Sequence, residues 1–350
     1  MITALTGIAL HAVGAASSAS SIVPGKFVKG WQWDVYWVGF ALVSLFFLPI
    51  IVASLTIPEV RMIIAAADTK TILLTVGLGF IYGFGGYGFG LACRMLGFSM
   101  TYAISIGFSA TVGTIIPPLV MGGEQLHKLL HTTQGVYIFS ALLIAIVGMF
   151  LVGKAGYGRE LHENQQSGDV TSAKDSKIVK GIFVALGAGF LSACYGFALH
   201  AGEPMAAQAV DMGANPLLRV NVIFVLANSG ALISNLIICY FLIRRENNFK
   251  QFFDKENKAL RRNYILAIAG GAAWYFQFFF YGIAEHFMED FSVASWAIHM
   301  IMLIIFAQLW GIYFKEWKSS PKPVKRNLYN GLAVLTFSVL IVAYGNFVTM

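Results

Sequence analysis

Ten apolar stretches of this chain contain no Asp, Glu, Lys or Arg, so few residues within them could do chemistry. Histidine is the one side chain there that can change charge near neutral pH. His11 lies near the middle of the first stretch and His299 in the first half of the ninth. At the outer ends of two others, His200 and Glu203 stand together ahead of Pro204, and Glu285 precedes His286. A carrier that couples a solute to protons needs a group that gains and loses charge, and ionisable groups inside a membrane mark ion paths. His11, His299, Glu203 and Glu285 are therefore the candidates for proton coupling. Each buried histidine can equally be a neutral hydrogen-bond donor.

A second set suits an uncharged, hydroxyl-rich ligand. Trp274, Gln277 and Tyr281 fall at i, i+3 and i+7, on one side of a helix. An amide between two aromatics offers flat faces for sugar C–H groups and a donor–acceptor pair for hydroxyls. Trp296 and His299 repeat the three-residue spacing one span later, and Asn221, Asn228 and Asn235 are seven apart, on roughly one stripe. The sugar-binding candidates are thus Trp274, Gln277, Tyr281, Trp296, His299 and Asn228. Interhelical hydrogen bonding is the competing role for every one of these polar groups. The hydroxyls of Thr101, Ser105, Ser109, Thr111 and Thr114 can bond their own helix or face a wet cavity. The glycine run Gly77, Gly79, Gly83, Gly85, Gly86, Gly88 and Gly90 suits either close helix approach or a bendable span.

Other chemistries are poorly served. Cys93, Cys194 and Cys239 sit singly in three different stretches, against a disulfide framework or metal knot. Neither a nucleophile–base set nor a metal-binding spacing such as HExxH is present, so no enzyme activity, metal or other cofactor is expected.

The elements that must hold these residues follow from composition. The 350 residues are 57% hydrophobic and only 12% charged, with 36 glycines and a net charge of +7. Soluble domains carry about twice that share of charge. The charge-free windows are 1–25, 35–58, 71–93, 95–123, 129–153, 181–202, 220–243, 263–284, 291–314 and 327–350, each 22 residues or longer. About 20 apolar residues span a bilayer. The expectation is an all-α polytopic membrane protein with ten transmembrane helices, in contact with lipid and not with nucleic acid. The start, MITALTGIALHAVGAASSAS, lacks a basic leader region and reads as the first permanent helix.

Basic residues divide unevenly among the nine loops, 20 in the odd-numbered and 4 in the even-numbered. Because Lys and Arg are retained on the cytoplasmic side, the odd loops are expected inside and both chain ends outside. The exterior loop EHFMED, at 285–290, forms an acidic mouth or simply a solvated turn. The polar stretch 154–180 reads as a cytoplasmic linker separating five helices (1–153) from five (181–350). Odd-numbered halves enter the membrane in opposite senses, which predicts two inverted five-helix repeats.

Three stretches carry a resemblance. GAASSASSIVPGKFVKGWQWDVYW, CRMLGFSMTYAISIGFSATVGTIIPPL, and WYFQFFFYG with SWAIHM and FKEW resemble the L-rhamnose–proton symporter family of the drug/metabolite transporter superfamily. The resemblance implies ten helices in two inverted halves, and uptake of L-rhamnose, and of its relative L-lyxose, with a proton; the expected location is a bacterial inner (cytoplasmic) membrane, with the termini periplasmic by the count of basic residues. It brings no site residues of its own. A drug or metabolite exporter of the same superfamily and a sodium-coupled sugar carrier are the alternatives; a receptor is disfavoured by the short loops.

Overall fold

A computed structural model describes residues 2–120, 127, 130–166, 172–288 and 292–348. Every regular element among these residues is helical. Helix α1 spans Ile2–Ser20 and leads into a 3-10 turn at Val23–Phe27. Helix α2 (Trp33–Leu42), a π-helical turn (Val43–Phe47) and α3 (Leu48–Thr56) follow without interruption. The widened turn has a local cause. Pro49 has no N–H to give the Leu45 carbonyl, and its ring crowds that carbonyl, so the ladder loosens just upstream. Short α4 (Val60–Ala66) precedes α5 (Thr69–Thr101), a second π turn (Tyr102–Ile106) and α6 (Gly107–Val120). The rest are α7 (Thr133–Gln166), α8 (Ser172–Asp211), α9 (Asn221–Glu246), α10 (Leu260–His286), α11 (Ser292–Tyr313) and α12 (Lys322–Val348).

The protein is an all-α polytopic membrane protein. Among the described residues nine helical stretches are long and apolar enough to cross a bilayer. One of them, Thr69–Thr114, is 46 residues long and takes in the charge-free window 71–93 and most of 95–123. A straight helix of that length would run to about 69 Å, over twice the hydrocarbon core. It is not straight: Gly97 stands at φ 74° and ψ 167°, a conformation open to glycine, and breaks the helix there. The polar stretch 154–180 is mostly helical, with 154–166 closing α7 and 172–180 opening α8. In the acidic loop, Glu289 and Asp290 lie outside the described residues.

The chain forms two compact units, each assembled from separated segments. The first comprises Met1–Ala16, Gly85–Ala193 and Phe287–Met350; the second comprises Ser17–Phe84 and Cys194–His286. In the first unit α7 and α12 pair antiparallel. A methyl group at Gly148 would stand 2.8 Å from Leu335, and one at Gly331 3.0 Å from the Gly148 carbonyl oxygen. Ala92, Leu96 and Met100 pack on Ile178 and Ala185 of α8. In the second unit the early turns of α5 cross α9 backbone against backbone. A methyl at Gly79 would overlap the Ala227 carbonyl, one at Gly83 the Ser234 hydroxyl, and one at Gly230 the Val76 carbonyl. Gly77 and Gly86 have nothing within 4 Å, so the run serves close approach at some positions only.

Polar stitching joins the loops within each unit. In the second unit Asn248 donates to Asp34 (3.2 Å), Trp31 to the Gln251 carbonyl (2.8 Å), and Asn263 to the Lys29 carbonyl (2.7 Å). These bonds join the first loop to the seventh. In the first unit buried Arg159 reaches Glu316 at 3.3 Å and lies 5.1 Å over the Trp317 ring. A methyl at Gly97 would stand 2.6 Å from its guanidinium, so the third, fifth and ninth loops meet on one arginine.

Candidate functional site

The six sugar-binding candidates divide between the units. Asn228, Trp274, Gln277 and Tyr281 lie in the second, with Glu203 and Glu285; His11, Trp296 and His299 lie in the first.

In the first unit His11 of α1 and His299 of α11 come together. Both are buried, and their rings meet edge to face with centroids 5.7 Å apart. One turn before His299, the Trp296 indole N–H donates to the Ser109 carbonyl at 3.1 Å. Its ring seats on Gly113, where a methyl would strike the indole. Trp296 therefore ties α11 to α6 and fixes the turn that carries His299. The helix hydroxyls separate into two kinds. Thr111 and Thr114 bond the Gly107 and Ala110 carbonyls of their own helix, at 3.0 and 2.7 Å. The Ser105 and Ser109 hydroxyls are buried with no hydrogen-bond partner, and Thr101 lies within bonding reach of the Cys93 thiol.

In the second unit the three asparagines of α9 are all buried, yet they do different work. Asn235 accepts from the Trp37 indole at 2.6 Å and donates to the Ala231 carbonyl at 2.7 Å. Asn221 donates to the Thr56 hydroxyl at 3.0 Å. Asn228 accepts from the Tyr195 hydroxyl at 2.7 Å, while its amide nitrogen has no partner. Rings pack about that tyrosine: Tyr195 is 4.5 Å from Tyr82 and 4.8 Å from Phe278, and Phe278 is 6.4 Å from Trp274. On α10 the Gln277 amide nitrogen and Tyr275 hydroxyl are likewise buried without partners, and Tyr281 is buried beside them in sequence. Buried polar atoms are nearly always paired, so an orphaned amide donor calls for an explanation.

Glu203 forms an ion pair with Arg219, and Glu285 feels the charge of both. Cys93, Cys194 and Cys239 are free thiols. Among the described residues no group of three or more His, Cys, Asp or Glu is arranged to hold a metal.

The sequence model of the family described as L-rhamnose-proton symport protein (RhaT) matches residues 1–348. The chain belongs to this family. L-rhamnose-proton symporters of Klebsiella pneumoniae (strain 342) and Salmonella gallinarum (strain 287/91 / NCTC 13346) are each 30% identical to it. The first aligns over 342 residues, 97% of both chains, and the second over 349 residues, 99% of both. That of Salmonella paratyphi B (strain ATCC BAA-1250 / SPB7) is also 30% identical over 99% of both.

For this L-rhamnose-proton symport family member, sequence reasoning missed Tyr82, Tyr195, Tyr275 and Phe278. Only a weak signal pointed to Tyr195, a mid-span tyrosine between small residues whose hydroxyl must find a partner once buried. The pairing with Asn228 joins two different helices, which no spacing within one helix reveals.

Proposed function

We propose that this chain imports L-rhamnose together with a proton. Membership of the family along nearly the whole chain carries the reading, since relatives named L-rhamnose-proton symporter align over 97–99% of it. The residues suit the chemistry. Asn228 and Gln277 offer amide donors to sugar hydroxyls, and Trp274 and Tyr281 offer ring faces to its C–H groups.

The proton belongs to the His11–His299 pair. Two imidazolium charges at 5.7 Å would repel by roughly 3 kcal/mol at an effective dielectric of about 20, so the pair holds one proton, not two. Glu203 and Glu285, near Arg219, are the proton-gathering groups of the second unit in this reading. Transport proceeds by alternating access, with the sequence halves 1–153 and 181–350 as the repeats, each contributing segments to both compact units. The membrane is a bacterial inner membrane, with odd loops cytoplasmic and both termini periplasmic. In its support, loops that the charge count assigns to one side are stitched to each other, the first to the seventh and the third to the fifth and ninth.

The test is reconstitution into proteoliposomes with a trapped pH dye. L-rhamnose added outside should acidify the lumen, and L-lyxose is the second sugar to add. Accumulation of sugar with no pH signal would overturn proton coupling, and no response to either sugar would overturn the substrate.

A further inference from the structure

Among the asparagines of α9, Asn228 alone combines complete burial with an amide nitrogen left unpartnered. Leaving such a donor unmade is costly, and the neighbouring asparagines avoid that cost by bonding across helices. Its amide does not swing round to find an acceptor, because the Tyr195 hydroxyl donates to Oδ1 at 2.7 Å. Tyr195 is itself fully buried and wedged between the rings of Tyr82 and Phe278. The tyrosine thus holds one end of the amide while the other end, with two N–H groups, stands unused.

We propose that Tyr195 is a positioning residue for sugar recognition, holding Asn228 so that Nδ2 donates to one hydroxyl oxygen of a neutral deoxysugar. This rests on the sugar-import reading above. The chemistry is selective: the amide supplies donors and reads an acceptor oxygen, while the rings packed about Tyr195 favour an uncharged ligand with an apolar C–H face. Loss of the tyrosine hydroxyl would free the amide to rotate and present either end, so affinity for that one hydroxyl would fall while the fold stayed intact.

The experiment is equilibrium binding of L-rhamnose, and of its single-position deoxy and fluoro analogues, to the purified full chain in detergent. A fluorine keeps weak acceptor character and cannot donate; a hydrogen does neither. In the wild type, one deoxy position should weaken binding about tenfold, with the fluoro analogue there intermediate. In Tyr195→Phe, L-rhamnose itself should bind about 5- to 10-fold more weakly, and the penalty at that position should shrink to less than about threefold. Asn228→Asp keeps an acceptor for Tyr195 but removes the donor, and should flatten the same position. That second variant carries the test should Tyr195→Phe not fold. Variants that keep the wild-type analogue profile, or lose all sugars equally, overturn the inference. Wild-type protein that binds no L-rhamnose overturns the import reading as well.

Discussion

His11 and His299 come from near opposite ends of the chain, and their rings meet edge to face 5.7 Å apart inside one unit. A pair of adjacent imidazoles can pass one proton between them without moving a charge into lipid. Replacing His299 by Gln keeps a hydrogen-bonding side chain and removes the titratable one. Proteoliposomes of H299Q should lose sugar-driven lumen acidification by more than about tenfold, while exchange of labelled L-rhamnose at equal concentrations changes less than about threefold. His11→Gln should behave alike. Full acidification in the double variant would remove the histidines from the coupling mechanism.

Gly83 and Gly86 are three residues apart in α5 and predict opposite outcomes. At Gly83 a methyl meets the Ser234 side chain and the Ala231 backbone of α9; at Gly86 it meets nothing within 4 Å. Gly83→Ala should lower the melting temperature in detergent, at a cost of about 1–3 kcal/mol for overpacking. Gly86→Ala should leave it unchanged or raise it slightly, because alanine is the better helix former by about 1 kcal/mol. Equal effects at the two positions would contradict the described crossing.

The Arg159 side chain is only 7% exposed and is shared by Glu316, Glu163 and the Trp317 ring. Removing one partner of a buried pair strands the other. Arg159→Met should destabilise by about 3 kcal/mol, with little dependence on salt. Lysine should not rescue it, having neither the planar fork nor the stacking face. Arg245, 74% exposed in its pair with Glu246, is the control, and its replacement by Gln should have no measurable effect on thermal stability.

Asp68 caps α5 by accepting from the Thr71 hydroxyl at 2.6 Å and from the Lys70 amide at 2.8 Å. The Thr71 hydroxyl first, then the Lys70 and Thr71 amides, hold this carboxyl below its ordinary range. A depressed folded value means the stabilisation is present above the unfolded value, about 3.9, and is lost as pH falls through the lowered one. Asp68→Ala should therefore melt below the wild type at pH 7. The gap should close on acidification below about pH 4, seen by intrinsic fluorescence on heating. A gap that persisted or widened in acid would argue against the cap.

The helices were legible because a charge in the bilayer is so costly that its absence outlines every span. The window from 35 to 58 holds α2 beyond its first two residues, the π turn and α3, and the boundary drawn at Arg94 falls close to the true break at Gly97. The break itself was not legible, since a single glycine among so many says nothing about its φ. The asparagine stripe was visible at its seven-residue spacing, but its division of labour was not. Whether Asn228 or Asn235 keeps a spare donor depends on Trp37, Gly83 and Tyr195, all brought from other helices. Likewise nothing local to Trp296 foretells that its indole nitrogen is spent on Ser109.

The interleaving of the two units sets an order in time. The second unit is complete in sequence once His286 has been made, whereas the first begins at Met1 and closes only with the final helices. At about 5–20 residues per second, the segment bearing His11 waits some tens of seconds on the ribosome before His299 exists to meet it. The opening helix must therefore persist in the membrane as an unfinished part, its buried face turned to lipid or to other nascent helices. A chain cut after His286 would retain every segment of one unit and strand two segments of the other, Met1–Ala16 and Gly85–Ala193.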